Sequence, residues 1–129
     1  MLEGEGMQTQ EMVNESGVNL PELLARMAYD GELLQEILEL FKEQFPKSRL
    51  SLLEALERGD MQQVQNEAHN LKGMLAGLSI MEGSSSAMRI ERMATESAPE
   101  GIPEELTCLV NCVAVAQLDL DRACRELNR

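Results

Sequence analysis

One histidine occurs in the 129 residues. It stands in the stretch Glu67-Ala68-His69-Asn70-Leu71-Lys72-Gly73. An imidazole titrates near neutrality, and its uncharged form carries a ring-nitrogen lone pair able to attack an electrophile. Lys72, three residues on, brings a mobile positive charge to the edge of the same surface. Gly73, four residues on, lets another molecule come close to the backbone and to the imidazole. Together these residues describe a site where an anionic group is placed on a nitrogen, partly neutralised, and collected by a docking partner. The plainer reading makes His69 and Lys72 ordinary solvated side chains. Gly73 weighs against it, because glycine inside a helix costs ~1 kcal/mol relative to alanine and packs nothing of its own on a solvent face.

The element that must carry these residues is an amphipathic helix. Met61, Val64, Ala68, Leu71, Leu75 and Leu78 recur at alternating steps of three and four, the stripe of a core-facing helix. At about 100° per residue the stripe centres between Ala68 and Leu71, which puts His69 about 140° away and Gly73 nearly opposite. The histidine is therefore expected to face water on a helix from about 61 to 78.

The remaining chain reads as more helices. Residues 1–16 are polar, acidic and glycine-bearing, a disordered tail or linker remnant. Asn19 caps a short helix through Met27, with Pro21 in its first turn. Asp30 caps the next, whose apolar stripe (Leu34, Leu38, Phe41, Phe45, Leu52, Leu56) keeps its phase across Pro46. That continuity favours one long kinked helix from about 31 to 58 over two helices broken at the proline. Gly59 stops it and Asp60 caps the histidine helix, so the two are antiparallel neighbours. Gly83 and the serines 84–86 suggest a turn or a frayed start before a helix carried by Ala87, Ile90 and Ala94. After a loop over 97–101, Pro103 opens a last helix with the stripe Leu106, Val110, Val113, Gln117, Leu120, Cys124 and Leu127. No segment alternates like a strand. The expected fold is all-α: an antiparallel four-helix bundle over 17–129 with a short additional N-terminal helix.

Composition narrows the function. A net charge of −12 disfavours nucleic acid, whose phosphates need a basic surface, and anionic membranes. No apolar run is long enough to span a bilayer, and the first ten residues have neither the basic nor the apolar part of a secretory signal. Cys108, Cys112 and Cys124, an odd number without a small-scaffold spacing, suggest reduced thiols in a cytoplasm and read as core or boundary packing. One distant histidine does not complete a metal site with them, and no glycine-rich nucleotide loop is visible.

His69-x-Leu71-Lys72-Gly73 on the second long helix of such a bundle resembles the histidine-containing phosphotransfer (HPt) domain of multistep two-component phosphorelays. The resemblance runs from about Gly17 to the end. It includes the Phe41–Phe45–Pro46 stretch, the Gly59-Asp60 turn, Ala68 and Ile90-Glu91. It implies that His69 accepts a phosphoryl group from a receiver-domain aspartate, through the ring nitrogen facing solvent, and passes it to an aspartate on another receiver. It implies that Lys72 holds the phosphoryl oxygens and that Gly73 leaves room for the receiver. Glu91 would hydrogen-bond the other ring nitrogen and fix its tautomer. Gln62, Gln65, Asn66 and Ala76 would border the docking surface, with Met74 enlarging an apolar patch. The implied partners are response-regulator receiver domains and a hybrid sensor histidine kinase. The chain would be a cytoplasmic monomer without kinase activity of its own, binding no cofactor, with Mg²⁺ held by the receiver. Departures are Ser79, where the family usually has glycine at the helix end, and Met74 and Leu75 in place of small residues. Three other readings stand beside this one: a chemotaxis-type phosphotransfer domain loaded directly by a kinase, a non-catalytic adaptor that binds a receiver or kinase, and an unrelated helical interaction protein.

Overall fold

Three side chains set where the first three helices begin. Asn19 Oδ1 accepts from the backbone N–H of Glu22 at 3.2 Å, Asp30 Oδ1 from those of Glu32 and Leu33 at 3.1 Å, and Asp60 Oδ1 from that of Gln63 at 3.1 Å. Each satisfies donors that a first turn leaves without partners. They open α1 (Leu20–Arg26), α2 (Gly31–Arg58) and α3 (Met61–Gly77) in the computed structural model, which describes residues 17–129. Then come α4 (Met81–Thr95), a 3₁₀ turn (Pro99–Gly101) and α5 (Ile102–Leu127). The expected tail at 1–16 lies outside the described residues. Among the described residues there is no strand, only an isolated antiparallel bridge between Val18 and Ile80.

The four long helices close a ring: α2 packs on α3 and α5, and α4 packs on α3 and α5. Leu34, Leu52, Leu71, Ile90, Leu109 and Leu120 are among the side chains fully withdrawn from water between them, and this burial of apolar surface is the main favourable term in the fold. The four-helix bundle with a short N-terminal helix is thus the fold of the described chain.

Two of the turns are built alike. At Gly59, in the left-handed region at φ +74°, the glycine N–H reaches Leu56 C=O (3.1 Å) and the Asp60 N–H reaches Ala55 C=O (2.9 Å), a Schellman cap. At the end of α3 the same pair of bonds forms from Ser79 to Ala76 C=O (3.0 Å) and from Ile80 to Leu75 C=O (2.9 Å), with Ser79 at φ +57°. A left-handed non-glycine residue costs about 1–2 kcal/mol. Here the serine hydroxyl accepts a 2.6 Å hydrogen bond from Arg26 Nη2, which also reaches Gly77 C=O at 3.2 Å. So α1 braces the end of the histidine helix where glycine would otherwise be expected.

Helix α2 runs unbroken through Pro46, as the phase of its stripe requires. The proline ring is exposed, and just before it the buried rings of Phe41 and Phe45 stack at 5.3 Å and 28°.

Elsewhere the structure corrects the sequence reading. Residues 81–86 are the first turns of α4, not a turn or a frayed start before it. Gly83 is buried, and a Cβ there would lie 3.2 Å from Leu75 Cδ1 and 3.3 Å from Ile80 Cγ2. Ser84 Oγ donates to Lys72 C=O at 3.3 Å. Small residues, poor in propensity, are what lets α4 come close to α3. In α5 the buried stripe is centred on Leu109, Val113, Ala116 and Leu120, while Val110, Gln117 and Leu127 are only half-buried. Cys124 is buried and Cys112 half-buried, but Cys108 is exposed.

Candidate functional site

The rotation of α3 settles where its polar residues go. Val64, Ala68, Leu71 and Leu75 are buried, so His69 projects outward with its side chain 63% exposed. Helix α4 lies alongside and contributes Glu91, one residue after the buried Ile90. The side chain of Glu91 is 21% exposed and lies along the seam between the two helices. Its two carboxylate oxygens do different things. Oε2 is 3.1 Å from His69 Nδ1, and Oε1 is 3.2 Å from Lys72 Nζ.

Partial burial pushes the Glu91 carboxyl up. Its hydrogen bonds to Lys72 and then His69, with the charges of both, outweigh this and hold it below the usual carboxylate value. At neutral pH Glu91 is therefore ionised and can only accept hydrogen bonds. The contact with His69 then assigns the ring: Nδ1 carries the proton and donates it to Oε2, and in the uncharged imidazole the lone pair sits on Nε2. Lys72 differs from the free edge charge expected of it. Its side chain is 32% exposed and its ammonium is already ion-paired.

Gly73 lies exposed beside the histidine, and a Cβ built on it would meet nothing within 4 Å. The conformation and packing of the free protein therefore do not demand a glycine. Gln62 and Asn66, two turns and one turn before His69 on the exposed side of α3, are joined by a 3.3 Å hydrogen bond. Ala76 is exposed and Gln65 half-buried. Met74 is half-buried; it packs on the core and lines an apolar groove between α2 and α3. The opposite wall of that groove, Ile37, Leu40 and Phe41, did not figure in the sequence reading of the site. Nor did Gly77, although its spacing of four from Gly73 was a visible signal.

Among the described residues no group of three or more His, Cys, Asp or Glu is placed to hold a metal ion, and no helix is long and apolar enough to cross a membrane. What the site offers is a tautomerically fixed imidazole, an ammonium within reach of it and an unobstructed approach. A family model described as Hpt domain matches residues 36–126. No curated protein and no solved structure matches the chain.

Proposed function

The chain belongs to the Hpt domain family, whose members take part in histidine phosphotransfer within phosphorelays, and on that premise we propose that His69 is the phosphoacceptor and Nε2 the atom that bonds to phosphorus. The observation that carries this reading is the Glu91 contact at Nδ1, 3.1 Å long, which leaves the nucleophilic lone pair on the other ring nitrogen.

The donor is a phosphoaspartate on a receiver domain. Nε2 attacks phosphorus, the bond from phosphorus to the aspartyl oxygen breaks, and the aspartate leaves as a carboxylate. No proton has to move, because the ring keeps Nδ1–H and becomes an N-phosphorylated imidazolium. Glu91 stabilises that new positive charge through the hydrogen bond it already makes. Lys72 turns from Glu91 towards the phosphoryl oxygens and offsets part of their charge. The reverse steps deliver the group to an aspartate on a second receiver. Phosphoryl transfer is mostly positioning and charge neutralisation, so a small helical surface suffices on this side. The Mg²⁺ such transfer uses belongs to the acidic pocket of the receiver. Gly73 admits that domain, and Gln62, Gln65, Asn66, Met74 and Ala76 border its footprint. A hybrid sensor kinase stands upstream, the chain acts as a cytoplasmic monomer, and it has no kinase activity of its own.

The test is phosphoryl transfer from phosphorylated receiver domains to the wild-type chain and to His69→Gln. Loss of acceptance in the variant, with helicity and melting unchanged because the side chain is exposed, supports the assignment. Receiver binding without any transfer to the wild type would make the chain an adaptor instead.

A further inference from the structure

The middle of α5 carries no charge, even where it faces water. From Leu106 to Leu118 no residue is charged, the longest such run in the chain, although 26% of all residues are. Part of the run is core, but Cys108, Asn111, Ala114, Val115 and Leu118 are exposed. Leu118 is 65% and Val115 43% open to solvent. The outer face of an amphipathic helix ordinarily bears charged and polar side chains. Apolar residues gathered there mark a place where something packs.

The exposed residues fall in one line. Glu104, Cys108, Asn111, Val115, Leu118 and Arg122 are all exposed and follow one another at steps of four, three, four, three and four, the spacing of a seam along which two helices pack. The line is symmetric about Val113. Glu104 and Arg122 each stand nine residues from it, Cys108 and Leu118 five, Asn111 and Val115 two. Turned end for end and laid on itself, the line sets Glu104 opposite Arg122, Cys108 opposite Leu118 and Asn111 opposite Val115, each pairing occurring twice. Laid on itself in parallel, it sets like charges together. Glu104 is in no ion pair among the described residues. Arg122 makes an exposed contact of 3.5 Å with Asp119, one turn back, and pairs of that kind are worth little. Both end charges are therefore available to a partner.

We propose that a second copy of this chain packs on the outer face of α5, the two α5 helices running antiparallel about a two-fold axis at Val113. A two-fold contact has to be self-complementary, and the order acid, uncharged middle, base along one helix supplies that. From Glu104 to Arg122 the seam is about 27 Å long. One helix face of that length falls short of the roughly 800 Å² per partner in a standard stable interface. The pair therefore forms and parts reversibly, and each chain transfers on its own. Helix α5 packs on α2 and α4, with α3 across the bundle from it. Pairing through α5 leaves the two His69 sites on opposite outer sides, both open to receiver domains. It does not depend on whether His69 carries phosphate.

Sedimentation equilibrium of the full chain with its thiols kept reduced, from about 10 μM to about 1 mM, covers the range in which so small an interface titrates. The average mass of wild type should rise from one chain towards two. L118E, E104R and R122E should each weaken association about tenfold or more, with helicity unchanged because the side chains are exposed. The two charge reversals place like charges opposite one another at both ends of the seam. The double variant E104R/R122E restores opposite charges without altering the net charge, and it should associate as wild type does. An equimolar mixture of E104R with R122E should recover association in the same way. Wild type that stays at the mass of one chain throughout, or association undiminished in L118E, overturns the α5 face as an interface. A mass that climbs beyond two chains overturns the two-fold pairing. Association weakened in L118E but untouched by either charge reversal, or not recovered in the double variant, overturns the antiparallel register.

Discussion

Glu91 Oε2 on α4 lies 3.1 Å from His69 Nδ1 on α3. Its other oxygen holds the Lys72 ammonium at 3.2 Å. One carboxylate thus orients the imidazole and restrains the cation. It sits in the seam between helices, where neighbours limit its rotamers, while the imidazole it serves remains open to solvent.

Glu91→Ala removes the acceptor at Nδ1. In the variant the two ring tautomers become free to exchange, and the proton moves to Nε2 in a substantial fraction of molecules. Nitrogen-15 spectra of the ring should report that change. Transfer to His69 should slow about tenfold, equivalent to ~1.4 kcal/mol of barrier. Glu91→Gln, whose amide oxygen can still accept from Nδ1–H, should retain more of the tautomer preference than alanine does. Unchanged ring spectra in Glu91→Ala would remove Glu91 from this role.

Lys72→Ala should slow receiver transfer by a similar factor and shorten the life of the phosphorylated form. The bundle should keep its helicity, because the ion pair it loses is partly exposed and such pairs contribute ~1 kcal/mol or less. Lys72→Arg keeps the charge and should recover part of the rate. Rapid-quench kinetics with circular dichroism separates the two effects.

Gly73→Ala should raise the melting temperature by a few degrees. Nothing lies within 4 Å of the added methyl, and the exchange gains roughly 0.5–1 kcal/mol in helix propensity and unfolded-state entropy. Gly73→Leu should remain folded but bind receiver domains weakly. A stabilised Gly73→Ala chain together with a weak-binding Gly73→Leu chain would locate the need for glycine in the complex.

Glu91 and Glu105 both titrate below the ordinary carboxylate range. Glu105 is held down first by its hydrogen bond to Arg89, with Ser86 adding to it and partial burial opposing. A depressed folded-state pKa contributes stability above the unfolded value, about 4.3 for glutamate, and that contribution is lost as pH falls through the folded value. The stability gap between wild type and Glu91→Gln or Glu105→Gln should therefore be full at neutral pH and close in acid. Melting curves across that range check it, and a gap independent of pH would contradict the shifts.

Much of this was legible in the sequence because it depends on local periodicity. The outward direction of His69 follows from the buried stripe of its own helix. The starts at Asn19, Asp30 and Asp60, and the continuity of α2 through Pro46, follow from caps and phase. What could not be read depends on contacts between distant segments. Gly83 and Ser84–Ser86 have loop-like propensities, yet they are helical: Gly83 lies where a Cβ would crowd Leu75 and Ile80, and Ser84 Oγ donates to Lys72 C=O on the neighbouring helix. Ser79 tolerates a left-handed backbone because Arg26, far away in sequence, supplies a 2.6 Å hydrogen bond. Glu91 was reached through resemblance alone, since no spacing on α4 reveals which face of α3 it will meet. The groove has one wall on each of two helices, so no single stretch of sequence displays it.

The most direct test of the central claim is to load nitrogen-15-labelled protein from a phosphorylated receiver and identify the phosphorylated atom by phosphorus–nitrogen coupling. The account predicts one phosphoryl group on Nε2 of His69, labile in acid, stable in alkali and absent from His69→Gln. Phosphorus on Nδ1, on a carboxylate, or retained in His69→Gln would contradict it.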